Sequence, residues 1–156
     1  MENVLLHSCC APCSAAIVEW MLAQDIRPTL YYFNPNIFPQ EEYEIRKSEC
    51  SRYAQKLGLE IIDGDYDHTA WLSDVAGLED EPERGKRCLQ CFKIRLLATA
   101  KLADEGKLLQ EHCFSKIQKP LLSTVASGMA PEASFYNQQY CGCEFSFRKP
   151  QNNDLP

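Results

Sequence analysis

Short apolar runs alternate with longer helical patterns over the first hundred residues of the chain. The runs at 3–7, 29–33 and 59–63 have the length and the β-branched or aromatic content of buried strands. A helical pattern begins near Pro12 and reaches Ala23, and a second covers 40–57 and ends before Gly58. Proline suits the first turn of a helix, and glycine is favoured just after the last. This β-α-β-α-β order predicts an α/β fold with a parallel sheet and helices on both of its faces.

The second half of the chain gives weaker signals. Residues 88–103 form a helical pattern, whereas 106–140 hold weak helical patches interrupted by Pro120, Gly128 and Pro131. At 156 residues the chain is long enough for one sizeable core. We therefore expect a single domain over 1–149, followed by a disordered tail at 150–156.

Composition and chain ends bear on the compartment. The chain is 45% hydrophobic and 24% charged, and no apolar run approaches ~18 residues. The first residues lack the pattern of a signal peptide, so we expect a cytoplasmic, reducing location without a membrane. Cysteine clusters in that compartment indicate metal or redox sites rather than structural disulfides.

The charge is unevenly distributed. A net charge of −6 argues against a nucleic-acid ligand, but six cations without an intervening acid lie between 84 and 101. They are Arg84, Lys86, Arg87, Lys93, Arg95 and Lys101. Such a patch can attract phosphate, and it can also stabilise thiolates; a solvated helix face is the equally weighted alternative.

Seven of the nine cysteines stand in three clusters, and this is the most informative feature of the sequence. The clusters are Cys9, Cys10 and Cys13; Cys88 and Cys91; and Cys141 and Cys143. The first cluster lies where a strand ends and a helix begins, which is the ligand-binding edge of an open parallel sheet. Clustered thiolates hold soft metals or exchange electrons. We therefore expect the fold to bring some of these clusters together.

Each cluster allows more than one chemistry. Cys10-Ala-Pro-Cys13 resembles the redox turn of thioredoxin-like proteins, and Cys88-Leu-Gln-Cys91 alone would indicate structural zinc. The adjacent Cys9 and Cys10 fit different irons of one cluster better than a single tetrahedral zinc. Together with Cys88 and Cys91 they supply the four thiolates of a [4Fe–4S] cluster. Cys141-Gly-Cys143 indicates either a strained, easily reduced disulfide or two ligands of another metal, such as an additional iron.

The remaining candidates carry weaker signals. Cys50 lies on the apolar face of its helical pattern and is expected in the core, and Cys113 has no assignment. His7 could tune a metal or donate a proton, although a histidine at a strand end is more often a packed residue. Asn34 and Asn36 follow the second strand and could contact a substrate, or they could simply form a turn.

Four ordered motifs make the chain similar to one family, the QueH-type epoxyqueuosine reductases. They are Leu5-Leu-His-Ser-Cys-Cys-Ala-Pro-Cys-Ser14, Tyr32-Phe-Asn-Pro-Asn-Ile-Phe-Pro39, Arg87-Cys-Leu-Gln-Cys-Phe92 and Gln139-Tyr-Cys-Gly-Cys143. The resemblance covers roughly 3–104 and 138–146. It implies a Rossmann-like three-layer α/β scaffold and an oxidoreductase that reduces the epoxide of epoxyqueuosine in tRNA to queuosine.

The resemblance also implies roles for individual residues. Cys9, Cys10, Cys88 and Cys91 match the ligands of a [4Fe–4S] cluster, and Cys141 and Cys143 match a redox-active pair. The implied partners are tRNA carrying epoxyqueuosine and an unidentified electron donor. We expect Asn34, Asn36, Arg84, Lys86 and Arg87 to contact the substrate. The role of Cys13 is left open.

The chain departs from the family pattern between Glu105 and Asn137. This segment is shorter than its family counterpart and lacks the strand patterns that the family has there. The sheet is therefore expected to lack C-terminal strands. Three alternative functions remain: a zinc-stabilised RNA-binding module, a thiol–disulfide oxidoreductase acting through Cys10 and Cys13, and an inactive, shortened family member.

Overall fold

The computed structural model describes residues 4–105, 135–136 and 138–148. Its sheet has three strands in this part of the chain: β1 (Leu5–His7), β2 (Thr29–Tyr32) and β3 (Ile61–Asp63). β1 pairs with β2 and β2 with β3, in both cases in parallel, which gives the order β1-β2-β3. The α/β fold class predicted from the sequence is confirmed.

Five helices accompany the sheet in the described residues. They are α1 (Ala11–Ala23), α2 (Gln40–Leu57), α3 (His68–Asp74), α4 (Lys86–Glu105) and α5 (Glu144–Arg148). α1 links β1 to β2, and α2 links β2 to β3. Pro12 stands in the first turn of α1, and Gly58 ends α2 with a left-handed φ of 63°. Both helix boundaries thus follow the proline and glycine signals in the sequence.

The main core forms where α1 and α2 pack on the sheet. Leu6, Leu30 and Tyr32 from the strands contact Val18 of α1 and Ala54 of α2, and all five are buried. Burying an aliphatic or aromatic side chain of this size stabilises a fold by roughly 1.5–3 kcal/mol. Cys50 belongs to the same core, which confirms the expectation for this residue.

Two helices were not predicted from the sequence. α3 is short, and it begins where the Asp67 carboxylate accepts a hydrogen bond from the Ala70 amide at 2.9 Å. α5 follows Cys143 directly and has only five residues. Neither is long enough to show a clear 3.6-residue periodicity. The expectations for Cys113, for the segment 106–134 and for the tail 150–156 concern residues outside the described ranges.

α4 buries a polar face rather than an apolar one. Arg87, Cys91 and Arg95 follow at four-residue spacing and are buried, whereas Leu89 and Phe92 are more than half exposed. Helices normally bury their apolar stripe. The inverted pattern indicates that the inward face of α4 lines a site. No helix in the described ranges is long and apolar enough to cross a membrane.

Candidate functional site

The site lies at the carboxyl edge of the sheet. Cys9 and Cys10 come directly after β1 and lead into α1, and the loop 34–39 follows β2. Because β1 and β2 are parallel, their carboxyl ends meet at the same edge. α4 contacts β1 and brings Cys88 and Cys91 to the same place.

One cavity of about 350 Å³ collects all three cysteine clusters. Its wall includes Cys9, Cys10, Cys13, Cys88, Cys91, Cys141 and Cys143. Four arginines also line it, namely Arg46, Arg84, Arg87 and Arg95, against a single carboxylate, Glu83. A volume of this size is within the range of small-molecule and cofactor sites. The surplus of guanidinium groups favours an anionic occupant.

The first cluster forms a compact group of thiols. The sulfurs of Cys9, Cys10 and Cys13 all lie within 4.8 Å of one another, with 3.8 Å between Cys9 and Cys10. Hydrogen bonds from Cys13 and Cys9, joined by Gln138, lower the pKa of Cys10 to about 3. The pKa values of Cys9 and Cys13 rise in return. The three thiols therefore share one negative charge and lose their other protons when a metal binds.

The second cluster occupies the first turns of α4. The Cys88 sulfur accepts a hydrogen bond from the Arg84 amide at 3.1 Å. Cys91 is buried, and this burial raises the pKa of its thiol, although Arg95 and Trp71 act in the opposite direction. A thiol whose pKa is raised by burial becomes a ligand once a metal displaces its proton.

The third cluster reaches the cavity because its segment lies on the loop after β2. Cys143 forms an antiparallel bridge with Ile37, and the Phe38 amide donates to the Gly142 carbonyl at 2.9 Å. The Arg46 guanidinium is buried, and it donates to the Tyr140 carbonyl at 2.9 Å. These contacts join residues about a hundred positions apart in sequence. They place Cys141 and Cys143 in the wall of the cavity that the first cluster also lines.

Gly142 is required by this docking. Its φ of 97° lies in the region that side chains disfavour. A Cβ atom there would also lie 2.8 Å from Nη1 of Arg46 and 3.0 Å from Cγ1 of Ile37. The glycine therefore serves both the turn and the close approach.

The residue that follows Cys143 is Glu144, and its carboxylate contacts the imidazole of His68. Nδ1 of His68 is 2.7 Å from the Pro35 carbonyl, and Nε2 is 2.7 Å from Oε2 of Glu144. A carbonyl accepts only, so Nδ1 carries a proton. The contact between His68 and Glu144 links α3 to α5.

Comparison with known proteins identifies the family. The sequence model described as "Epoxyqueuosine reductase QueH" matches residues 4–115. Three curated proteins named epoxyqueuosine reductase QueH align with 94% of this chain. The protein from Histophilus somni is 37% identical over 73% of its own length, and that from Haemophilus influenzae is 36% identical over 72%. The protein from Acinetobacter baylyi is 33% identical over 81%.

The chain belongs to the QueH family of epoxyqueuosine reductases. Members of this family are oxidoreductases by name. The alignment to the Histophilus somni protein has 178 positions, more than the 156 residues of the chain. That relative therefore contains residues that this chain lacks.

The remaining predicted residues take different places in this QueH-family chain. Asn34 is buried; its amide donates to the Ser8 carbonyl, and its oxygen accepts from Arg95. Asn36 lines the cavity, as does Arg84. Lys86 is exposed and is not among the residues lining the cavity. Their substrate contacts stay predictions.

Arg87 and His7 are engaged within the fold. Nη1 of Arg87 donates to the carbonyls of Leu78, Glu79 and Glu81. His7 donates through Nε2 to the Phe33 carbonyl at 2.9 Å, and burial lowers its pKa to about 4. The imidazole is therefore neutral at pH 7. His7 is also absent from the residues lining the cavity.

Several site residues were missed by the sequence reasoning. Arg46, Trp71 and the pair His68 and Glu144 carry no local motif. Arg46 occupies an ordinary helical position, and Trp71 lies in a helix that was not predicted. Only the contacts across the fold show that Arg46 and Trp71 line the cavity and that His68 contacts Glu144.

We predict that Cys143 is the more reactive thiol of its pair. A hydrogen bond from Cys141, together with the Phe145 and Ser146 amides, lowers the pKa of Cys143 to about 6 against the effect of burial. Such a thiol is about 90% ionised at pH 7, compared with about 3% at the usual pKa of about 8.5. The alkylation rate of the metal-free protein, followed by peptide mass spectrometry, should therefore rise through pH 6.

Cys50 provides the internal reference for this measurement, because burial raises its pKa to about 12. A Cys143 profile that rises only near pH 9 would contradict the geometry described for the third cluster.

Proposed function

We propose that this chain reduces the epoxide of epoxyqueuosine in tRNA to the alkene of queuosine. The observation that carries the proposal is the convergence of seven cysteines and four arginines on one cavity at the carboxyl edge of the sheet. The family membership supplies the substrate and the reaction. Epoxide reduction needs electrons and protons at one place, and clustered thiols can provide both.

The cavity fits an iron–sulfur cluster. We propose Cys9, Cys10, Cys88 and Cys91 as its four thiolate ligands. The arginine-rich wall offsets the negative charge of such a group. Among the described residues, the buried polar side-chain atoms without a hydrogen-bond partner belong to Asn36, Trp71 and Arg87, which all line this cavity. When bound, a cluster of this type supplies one-electron transfer. Cys13 remains available for an additional iron.

Cys141 and Cys143 are proposed as the dithiol that provides the reducing equivalents. Converting the epoxide to an alkene breaks two C–O bonds, consumes two electrons and two protons, and releases water. Oxidation of the two thiols to a disulfide forms one S–S bond and yields two electrons and two protons, so the exchange balances. An external dithiol reductant then has to reopen the disulfide, which is strained in so short a loop.

Substrate binding is assigned to groups at the cavity and its margin. The carboxamide oxygen of Asn36 lacks a partner in the part of the chain that the structure describes, and it suits an N–H or O–H donor of the modified nucleoside. Arg84 and Lys86 are exposed and suit tRNA phosphates. Asn34 and Arg87 are buried and hydrogen-bonded within the fold, and we assign them a positioning role.

A second candidate function rests on the first cluster alone. Cys10 has a strongly lowered pKa and Cys13 is exposed, as in an attacking and leaving pair of a thiol–disulfide oxidoreductase. This alternative leaves the other five cysteines at the cavity without a role. We retain a single domain over 1–149 and a cytoplasmic location as part of the proposal.

Replacing single cysteines by serine should separate ligands from the dithiol. Cys9→Ser and Cys88→Ser should lose most of the bound iron, because a hydroxyl group is a poor ligand for a soft cluster. The double variant Cys141→Ser with Cys143→Ser should keep its iron but reduce epoxyqueuosine only at background rate. Iron is measured after anaerobic purification, and product is measured by mass spectrometry of digested tRNA.

Cys50→Ser is the matched control, since Cys50 lies in the core and is absent from the cavity wall. It should retain both iron and activity. Loss of iron in the Cys141 and Cys143 variant would make these residues ligands instead, and full activity there would remove them from the reaction.

Charge reversal should identify which basic residues contact tRNA phosphates. Changing Arg84 and Lys86 together to Glu should weaken tRNA binding and lower the slope of log K against log salt by about 0.7 for each lost phosphate contact. Binding is followed by fluorescence anisotropy across a salt series. Lys56→Glu, at the exposed end of α2, is the control for a general change in charge. An unchanged slope in the double variant would exclude these two residues from the interface.

A further inference from the structure

Trp71 is buried, and its indole N–H group has no well-placed acceptor among the described residues. The side chain is 1% exposed, and Nε1 makes no well-formed hydrogen bond among the described residues, although it lies close enough to the Cys91 sulfur to lower the pKa of that thiol. Leaving a buried N–H group unpaired is unfavourable, and more than nine in ten buried polar groups in native proteins are paired. A phenylalanine would meet the packing requirement without this cost. An acceptor that belongs to the bound state would explain the choice of tryptophan.

Packing keeps the indole in place. Trp71 stacks on the His68 ring at 5.4 Å between centroids and meets Phe145 at 6.1 Å. It also packs in one cluster with Val75, Cys91 and Cys143. The Asp67 cap fixes the start of the helix that carries it. The N–H group is therefore held in the cavity wall beside two of the cysteines.

The surroundings indicate that the missing acceptor is an anionic sulfur. Arg87, whose Nε also lacks a partner in the described part of the chain, lines the same cavity. Its guanidinium is anchored by the Glu79 carbonyl at 3.0 Å and by the Phe145 ring at 5.2 Å. Both unpaired donors are thus fixed at a wall that otherwise consists largely of thiols and guanidinium groups.

We propose that the indole N–H of Trp71 donates a hydrogen bond to a sulfur of the iron–sulfur group held in the cavity, and so raises its reduction potential. This inference rests on the proposed function, because it requires the cluster. A hydrogen bond to sulfur stabilises the more negative, reduced form more than the oxidised form. Trp71 therefore makes the bound group easier to reduce.

The test compares Trp71→Phe with the same substitution at Trp20, the only other tryptophan, which lies on α1 and is absent from the cavity wall. Both variants are purified anaerobically with their iron, and the midpoint potential is measured by redox titration with EPR detection. Trp71→Phe should have a more negative potential than the wild type, whereas Trp20→Phe should match it. An iron-loaded Trp71→Phe protein with the wild-type potential would overturn the inference.

A measurement on the unmutated protein removes any dependence on the stability of the variant. With ¹⁵N incorporated into the indole nitrogens, the reduced wild-type protein should show a hyperfine coupling from one indole, and Trp20→Phe should retain it. An iron-loaded protein without this coupling refutes the inference and leaves the proposed function intact. A wild-type protein that holds no iron refutes both.

Discussion

The site depends on the docking of the segment around Cys143 onto the loop that follows β2. The Ile37–Cys143 bridge and the buried Arg46 guanidinium hold this segment, and the His68–Glu144 pair fixes its far end. Without these contacts the sheet edge would carry only the first two cysteine clusters. The docking turns an open edge into a walled cavity.

A cavity of this kind is unfavourable unless something fills it. Bringing many thiols and four guanidinium groups together concentrates groups that water would otherwise solvate, and burying three of these arginines, Arg46, Arg87 and Arg95, carries a desolvation cost. The buried donors of Trp71 and Arg87 add to that cost. An anionic, sulfur-liganded group would offset all of these terms together, because it consumes thiol protons, pairs with the cations and accepts the hydrogen bonds. The electrostatics of the wall thus favour a bound cofactor over a simple dithiol site.

The local features of the sequence predicted the fold well where they had a local physical cause. Pro12 and Gly58 mark helix ends because their backbone preferences act at one residue, and the three strand patterns reflect burial within the sheet. α3 was missed because a seven-residue helix offers too little periodicity, although Asp67 is an ordinary cap. The cysteine clusters indicated a shared site because thiols are rare and chemically distinct.

The hydrogen-bond partners of the arginines and of His68 could not be predicted from the sequence, because they come from contacts between residues that are distant in the chain. Arg87 belongs to a basic stretch that suggested phosphate binding, but the carbonyls of Leu78 and Glu79 enclose its guanidinium. Nothing in the sequence indicates that Arg46 donates a hydrogen bond to the Tyr140 carbonyl or that His68 contacts Glu144.

The proposed iron–sulfur site is tested most directly by an anomalous-scattering map from anaerobically grown crystals, collected at the iron absorption edge. We expect a compact group of iron peaks inside the cavity, between the pair Cys9 and Cys10 and the pair Cys88 and Cys91. A single peak at the zinc edge, or no metal among these cysteines in protein that was never exposed to air, would contradict it.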